Sequence, residues 1–270
     1  AMAKPIQAGN TALVGVRAAR MAEAGITGAP DIFAPRGFFD LYAGPDGLAA
    51  DPAKVEPRID LGSVSRKLYP CCYFTHRMIA AGRHLYAQRG GNAVPDGSVI
   101  EMTVPKGVML PLHIVDPNDG TEAKFCAAYT LSAALHQGRV GLADFEDDSP
   151  HRPEIRRLMS MVIIETEPDA GPDRVGVDHG AVHVRLRRGN ETLAETSVAA
   201  HPGSPADPAN PAEIGEKIAD CLEKYRKDGG TPPATGAFRK ELRTRLHLPP
   251  LRDPATPDGK SDRSRNRTPG

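Results

Sequence analysis

AVHVRLRRGNETLAETSVA, residues 181–199, is the stretch on which the fold class turns. Apolar and polar residues alternate over Ala181–Leu186 and again over Leu193–Ala199. That is the period of a half-buried strand. Arg188-Gly189-Asn190 lies between them with turn chemistry, so the two read as a hairpin. Val162–Glu167 reads as a strand before it, across a Gly/Asp turn, and Val99–Val104 alternates in the same way. Val64–Tyr69 and Pro111–Val115 are further strand candidates. Short strands with these connections fit an antiparallel or mixed sheet with helices on one face, an α+β fold.

Helical periods flank and interrupt the strands. Thr121–Gln137 places Phe125, Ala128, Leu131, Ser132 and Leu135 on one face, and Gly138 closes it. Tyr73 to about Gln88 does the same with Phe74, Met78, Ala81 and Leu85. Residues 7–24 carry a wide apolar stripe, which predicts a helix buried on more than one side. Asp31–Ala34 and Gly37–Tyr42 read as short helical pieces, and 43–58 as a surface loop. Pro153–Met159 begins a helix with proline in its first turn. Pro211–Tyr225 sets Ile214, Ile218 and Leu222 at fourfold spacing. Beyond Lys227 apolar residues thin out. Ala237–Leu246 alone suits a helix there, and 248–270 lacks the apolar surface to offset ordering. The order is helix, α+β block, helix, tail.

Composition narrows the function. Of 270 residues, 34 are Lys or Arg and 34 are Asp or Glu, a formal net charge of zero. That argues against a nucleic-acid binder working by bulk positive charge. No apolar run approaches the ~20 residues of a membrane span. Ala1-Met2-Ala3-Lys4 does not open a secretory signal, so a cytoplasmic location is expected. The four cysteines, Cys71, Cys72, Cys126 and Cys221, include no CxxC pair and read as free thiols. His179 and His183 stand four apart without a third ligand, so no metal site is expected. No dinucleotide, phosphate-loop, GxSxG or HExxH motif is present, and no cofactor is expected.

Chemistry concentrates in Lys67-Leu68-Tyr69-Pro70-Cys71-Cys72-Tyr73-Phe74-Thr75-His76. A lysine, thiols, hydroxyls and an imidazole fall at a predicted strand-to-helix junction. Backbone N–H groups and the positive helix end there suit a carboxylate. Lys67 adds a full charge, and His76 can exchange a proton near neutral pH. The competing reading makes Tyr69 and Phe74 core, and His76 a satisfied helix histidine. Tyr129 lies mid-helix, where a tyrosine is more often packing than ligand. Lys4 stands at a helix entrance, where its charge opposes the dipole. It either holds an anion or is simply solvated.

Together these segments resemble the MmgE/PrpD family, which includes 2-methylcitrate dehydratase and cis-aconitate decarboxylase. Met2-Ala3-Lys4-Pro5-Ile6-Gln7-Ala8-Gly9-Asn10 is similar to the family's TKPLHAGNAA. Lys67-x-Tyr69-Pro70-x-Cys72-x-x-x-His76 is similar to KxYPxCxxxH. Ala123-Lys124-Phe125-Cys126-x-x-Tyr129 is similar to A(K/R)FSxxY, and Gly203-Ser204-Pro205 with Asn210-Pro211 completes the order. The resemblance implies the end of an all-helical domain at 1–58 and a small α+β lid at 59–202. It also implies a helix returning to the helical domain at 203–227 and a tail at 228–270.

By the same resemblance, the activity would be that of a lyase, 2-methylcitrate dehydratase-like, working on di- or tricarboxylates without a metal. Lys67, His76 and Tyr129 would be catalytic, and Lys4 and Cys72 would bind substrate. Gln7 and Cys126 depart from the family's usual histidine and serine. Most of the helical domain would be absent. The chain would then be a truncated gene product, a fragment of a longer protein, or one half of a split enzyme whose N-terminal half is separately encoded. An inactive remnant or interaction module, and decarboxylase or epimerase activity on the same scaffold, stay open as alternative functions. The partners expected are the small carboxylate and a second copy or that missing half.

Overall fold

The computed structural model describes residues 3–34, 36–42, 61–167 and 179–231. The expectations for 43–58, for the Gly/Asp turn, for 237–246 and for the far tail lie outside the described residues. The chain divides into two units, residues 1–220 and 221–270.

The first unit is α+β. In chain order it contains α1 (Ala3–Glu23), α2 (Phe38–Tyr42), α3 (His76–Gln88), β1 (Ser98–Val104), α4 (Gly120–Ala123), α5 (Ala127–Gln137) and α6 (Pro153–Met159). Then come β2 (Val162–Thr166), β3 (Val182–Arg188), β4 (Glu191–Val198) and the start of α7 (Pro211–Lys227). The four strands form one mixed sheet in the order β2-β1-β3-β4. β1 runs parallel to β2, with Ile100 opposite Val162. The long crossover through α4, α5 and α6 makes that parallel pairing possible. β1 and β3 pair antiparallel with Met102 opposite Val184, and β3 turns into β4 through Gly189-Asn190.

The period of two decides which face is core. Ile100, Met102 and Val104 of β1 and Val182, Val184 and Leu186 of β3 are buried. Met78, Ala81 and Leu85 of α3 and Leu131 and Leu135 of α5 join them in one apolar cluster. The opposite face carries Glu101, whose carboxylate accepts from Arg185 at 2.6 and 2.8 Å and from Arg187 at 2.5 Å. Such exposed pairs add little stability, but they keep that face wet. α3 and α5 approach closely at Gly82, where a Cβ would sit 2.7 Å from the Ala134 Cβ. A second cluster, with Leu68, Tyr69, Ile79, Cys126, Tyr129, Phe145 and Ile155, lies on the other side of this helix pair, and Ile214 packs against it.

Several expectations change. The helix over 121–137 is two helices, with a break at Lys124–Cys126. Asp119 caps the first by accepting from the Glu122 N–H. Cys126, in extended backbone, caps the second by accepting the Tyr129 N–H at 3.4 Å. Apolar periodicity is blind to such a break when both pieces bury the same face. Val64–Tyr69 is not a strand; Arg66 instead donates its N–H to the Gly203 carbonyl at 2.8 Å. Pro111–Val115 is turn and coil, with Leu112 buried and Val115 80% exposed. No residue of α1 is buried, although its stripe predicts burial. Ile6, Leu13, Val14, Val16 and Met21 are all exposed.

α7 begins with Asn210, which accepts the N–H groups of Ala212 and Glu213 while Glu213 accepts the Asn210 N–H. This reciprocal box fixes the helix start. In the second unit the described residues are the rest of α7, from Cys221, and the turn after it. Lys224 pairs with Asp228 at 2.5 Å and Lys227 with Glu223 at 3.0 Å.

Candidate functional site

The segment Lys67–His76 crosses the edge of the second cluster and enters α3 through a tight 3-10 turn, Tyr73–Thr75. The Cys72 N–H donates to the Lys124 carbonyl at 3.0 Å, tying the segment to the break before α5. Thr75 donates its hydroxyl to the Cys72 carbonyl at 2.8 Å, and its Oγ1 lies 3.1 Å from the Cys71 Sγ. On the other side lies the segment His201–Asp207. Gly203 holds φ +86°, and a Cβ there would strike the Arg66 carbonyl, so only glycine lets the two backbones meet. Lys217 closes the frame by donating to the Lys67 carbonyl.

Inside this frame the rings form a chain of contacts. The Tyr69 and His76 rings lie 5.1 Å apart, edge to face. Tyr73 lies 5.0 Å from His76 and stacks on His201 at 4.4 Å with only 12° between the planes. His76 and His201 are both buried. Neither ring nitrogen of His76 makes a hydrogen bond of good geometry among the described residues, although the backbone of Tyr69 and of Pro202 lies close enough to favour the protonated ring, and the buried Tyr73 hydroxyl has no partner there. Burial, with the Lys67 charge and then His201 adding to it, pushes His76 down to about 3. The imidazole is therefore neutral at physiological pH, able to accept or donate a hydrogen bond without carrying charge.

Lys67 is exposed, and its Nζ donates to the Cys71 carbonyl at 3.1 Å. Cys72 is half-buried. Burial pushes the Cys71 thiol up to about 12, so it is not the reactive thiol of this segment. The structure thus brings Lys67, Cys72 and His76 to one junction. Lys4 stands exposed in the first turn of α1, with no side-chain contact to that junction among the described residues.

Tyr129 is placed differently. It is fully buried and its hydroxyl donates to the Asp144 carbonyl. The Asp144 carboxylate accepts from the Gly141 N–H at 2.9 Å, Gln137 at 2.7 Å and Arg152 at 2.9 Å. Burial raises the Tyr129 phenol to about 12, against the pull of Arg152. Its donor is committed to a corner that closes α5 onto the following turn. Tyr73 and His201 carry no family motif, and spacing alone could not pair them across 128 residues. Among the described residues no group of three His, Cys, Asp or Glu side chains could hold a metal ion, and no helix is long and apolar enough to cross a membrane.

Comparison with known proteins gives the family. Cis-aconitate decarboxylase of Homo sapiens is 28% identical over 181 residues, 63% of this chain and 36% of that protein. Cis-aconitate decarboxylase of Mus musculus is 26% identical over 178 residues, with the same shares. The chain spans about a third of the length of these curated relatives. A model of the MmgE/PrpD C-terminal domain matches residues 69–229, a span that runs from the Tyr69 end of the junction through the sheet to the end of α7. This chain therefore belongs to the MmgE/PrpD family.

Proposed function

We propose that the chain is part of a lyase acting on small di- or tricarboxylates, and that the Lys67–His76 junction is where the carboxylate chemistry takes place. One observation carries the reading: an exposed lysine stands beside a buried, neutral histidine whose ring nitrogens make no well-aligned hydrogen bond among the described residues. A cation at the mouth draws in a carboxylate and favours the charge that develops when a proton leaves the neighbouring carbon. The neutral imidazole is the group that accepts or returns that proton. Its depressed pKa makes it a weak base in the empty site. A bound dianion would raise that pKa by offsetting Lys67.

In this reading Lys67 holds a carboxylate with Cys72 beside it, and Lys4, which makes no contact with the junction among the described residues, holds one only when α1 is brought to it. Tyr129 reaches a ligand only by giving up its bond to Asp144. With that bond kept, it braces the helix behind the site. The reaction proposed first is elimination of water in the manner of a 2-methylcitrate dehydratase. Decarboxylation of cis-aconitate is the second reading, favoured by the names of the two mammalian relatives. Both begin with the same carboxylate binding and proton handling. A partner, either a second copy or a separately encoded helical half, would cover the exposed apolar residues of α1.

The test is to incubate the chain with 2-methylcitrate, citrate and cis-aconitate. Two signals are followed: ultraviolet absorbance of an unsaturated product, and release of carbon dioxide. The first without the second favours dehydration, and the second favours decarboxylation. Turnover that survives both Lys67→Ala and His76→Ala would place the site elsewhere.

A further inference from the structure

We propose that Tyr73 and His201 belong to the same site: the Tyr73 hydroxyl donates a hydrogen bond to the bound carboxylate, and His201 is a positioning residue that holds the phenol ring against His76. This rests on the reading of the Lys67–His76 junction as a carboxylate site.

Three observations carry it. First, Tyr73 is half-buried as a residue, yet its hydroxyl oxygen is fully shielded and has no hydrogen-bond partner among the described residues. Buried polar atoms in folded proteins are paired in the great majority of cases, so an orphan calls for an explanation. A phenylalanine would serve the packing equally well. Second, the neighbouring ring is His76, at 5.0 Å between ring centroids, and it too is buried, with only poorly aligned backbone neighbours, Tyr69 and Pro202, at its nitrogens. One unpartnered phenol donor and one weakly held imidazole, side by side, match the oxygen of a carboxylate. Such an oxygen accepts from the phenol and can exchange a proton with the ring. Third, Tyr73 is not free to turn away. His201 lies flat on its far face at 4.4 Å and 12°, and is itself 1% exposed. The segment carrying His201 is pinned to the start of the junction by the Arg66 N–H and by the close approach at Gly203. A hydroxyl held in place before binding loses little freedom on binding, which is how a positioning residue contributes to affinity.

The experiment is titration of the full chain with citrate as probe, by calorimetry and by NMR of ring-labelled histidine. In the wild type, citrate should shift the ring signals of both His76 and His201. Tyr73→Phe keeps the stacked ring and removes one oxygen. It should weaken citrate binding about tenfold while leaving the melting temperature and the His201 signal in place. His201→Ala should weaken binding too, and His201→Phe, which restores a flat stacking partner, should recover most of it. Unchanged citrate affinity in Tyr73→Phe, alongside a loss in Lys67→Ala, overturns this proposal and leaves the carboxylate site standing. Failure of His201→Phe to recover binding overturns the positioning role. Absence of citrate binding in the wild type, or binding indifferent to Lys67→Ala, overturns the carboxylate reading and this proposal with it.

Discussion

Tyr129 and His76 are both fully buried, and the protein treats them in opposite ways. Around Tyr129 the polar groups are matched: hydroxyl to the Asp144 carbonyl, and Asp144 carboxylate to a backbone N–H, an amide and a guanidinium. Around His76 the frame is just as closely built, from Thr75, the Lys124 carbonyl and Gly203. The ring nitrogens at its centre, however, make no well-aligned hydrogen bond among the described residues. A structural corner satisfies its own groups. A binding site keeps some in reserve, at a cost in stability that the surrounding packing offsets. The same family motifs mark both regions, so motif alone does not separate brace from site.

The contrast can be broken by experiment, the largest effect first. Acid should act through His76. Its folded pKa lies near 3 against 6.5 for an ordinary histidine, so between those values the unfolded chain binds more protons than the folded one. The stability is fully present above about pH 6.5 and is lost as pH falls toward 3, at up to about 1.4 kcal/mol per pH unit. Urea titrations of wild type and His76→Phe across that window should show a clearly flatter profile in the variant. Equal slopes would mean that the imidazole is not buried neutral.

Asp144→Ala should come next. It strips three donors of their acceptor and should destabilise by about 3 kcal/mol, read as a lower denaturant midpoint at pH 7. Tyr129→Phe removes one hydrogen bond from the same corner and should cost about 1–2 kcal/mol, with citrate affinity unchanged if the brace reading holds. A large loss of affinity with little loss of stability would return Tyr129 to the catalytic group. Smallest in stability is Lys67→Ala, an exposed position expected to move the midpoint by no more than about 0.5 kcal/mol. Its effect should appear in ligand binding instead. A substantial drop in melting temperature would recast Lys67 as structural.

Legibility in the sequence follows the range of the interaction. The hairpin around Gly189-Asn190 and the buried faces of α3 and α5 are local patterns, and the structure buries Met78, Ala81, Leu85, Leu131, Ser132 and Leu135 as expected, with Phe74, Phe125 and Ala128 only half-buried. The break at Lys124–Cys126 is also local. It hides because a cysteine is an uncommon cap and the apolar spacing continues through it. Two strand readings fail for a different reason. Val64–Tyr69 and Pro111–Val115 carry apolar residues that meet the body through side chains and isolated hydrogen bonds instead of a ladder. For α1 the stripe predicts a helix, which forms, and burial, which does not occur among the described residues. Periodicity fixes which face would be buried; only a partner surface buries it. At the site, Lys67, Cys72 and His76 are near neighbours in sequence and easily found. Tyr73 lies among them without a motif, and His201 comes from the segment after β4, 128 residues further on.

Local spacing, then, determined by itself most of the helices, the hairpin and the α+β class, because these depend on residues within a few turns or strand lengths of one another. Tertiary structure alone decided that the sheet is mixed, that Tyr129 spends its hydroxyl on a brace, and that His201 lies on Tyr73 beside a buried His76. Those outcomes depend on which distant surfaces meet once the core has closed, and on which buried polar atoms find a partner when it does.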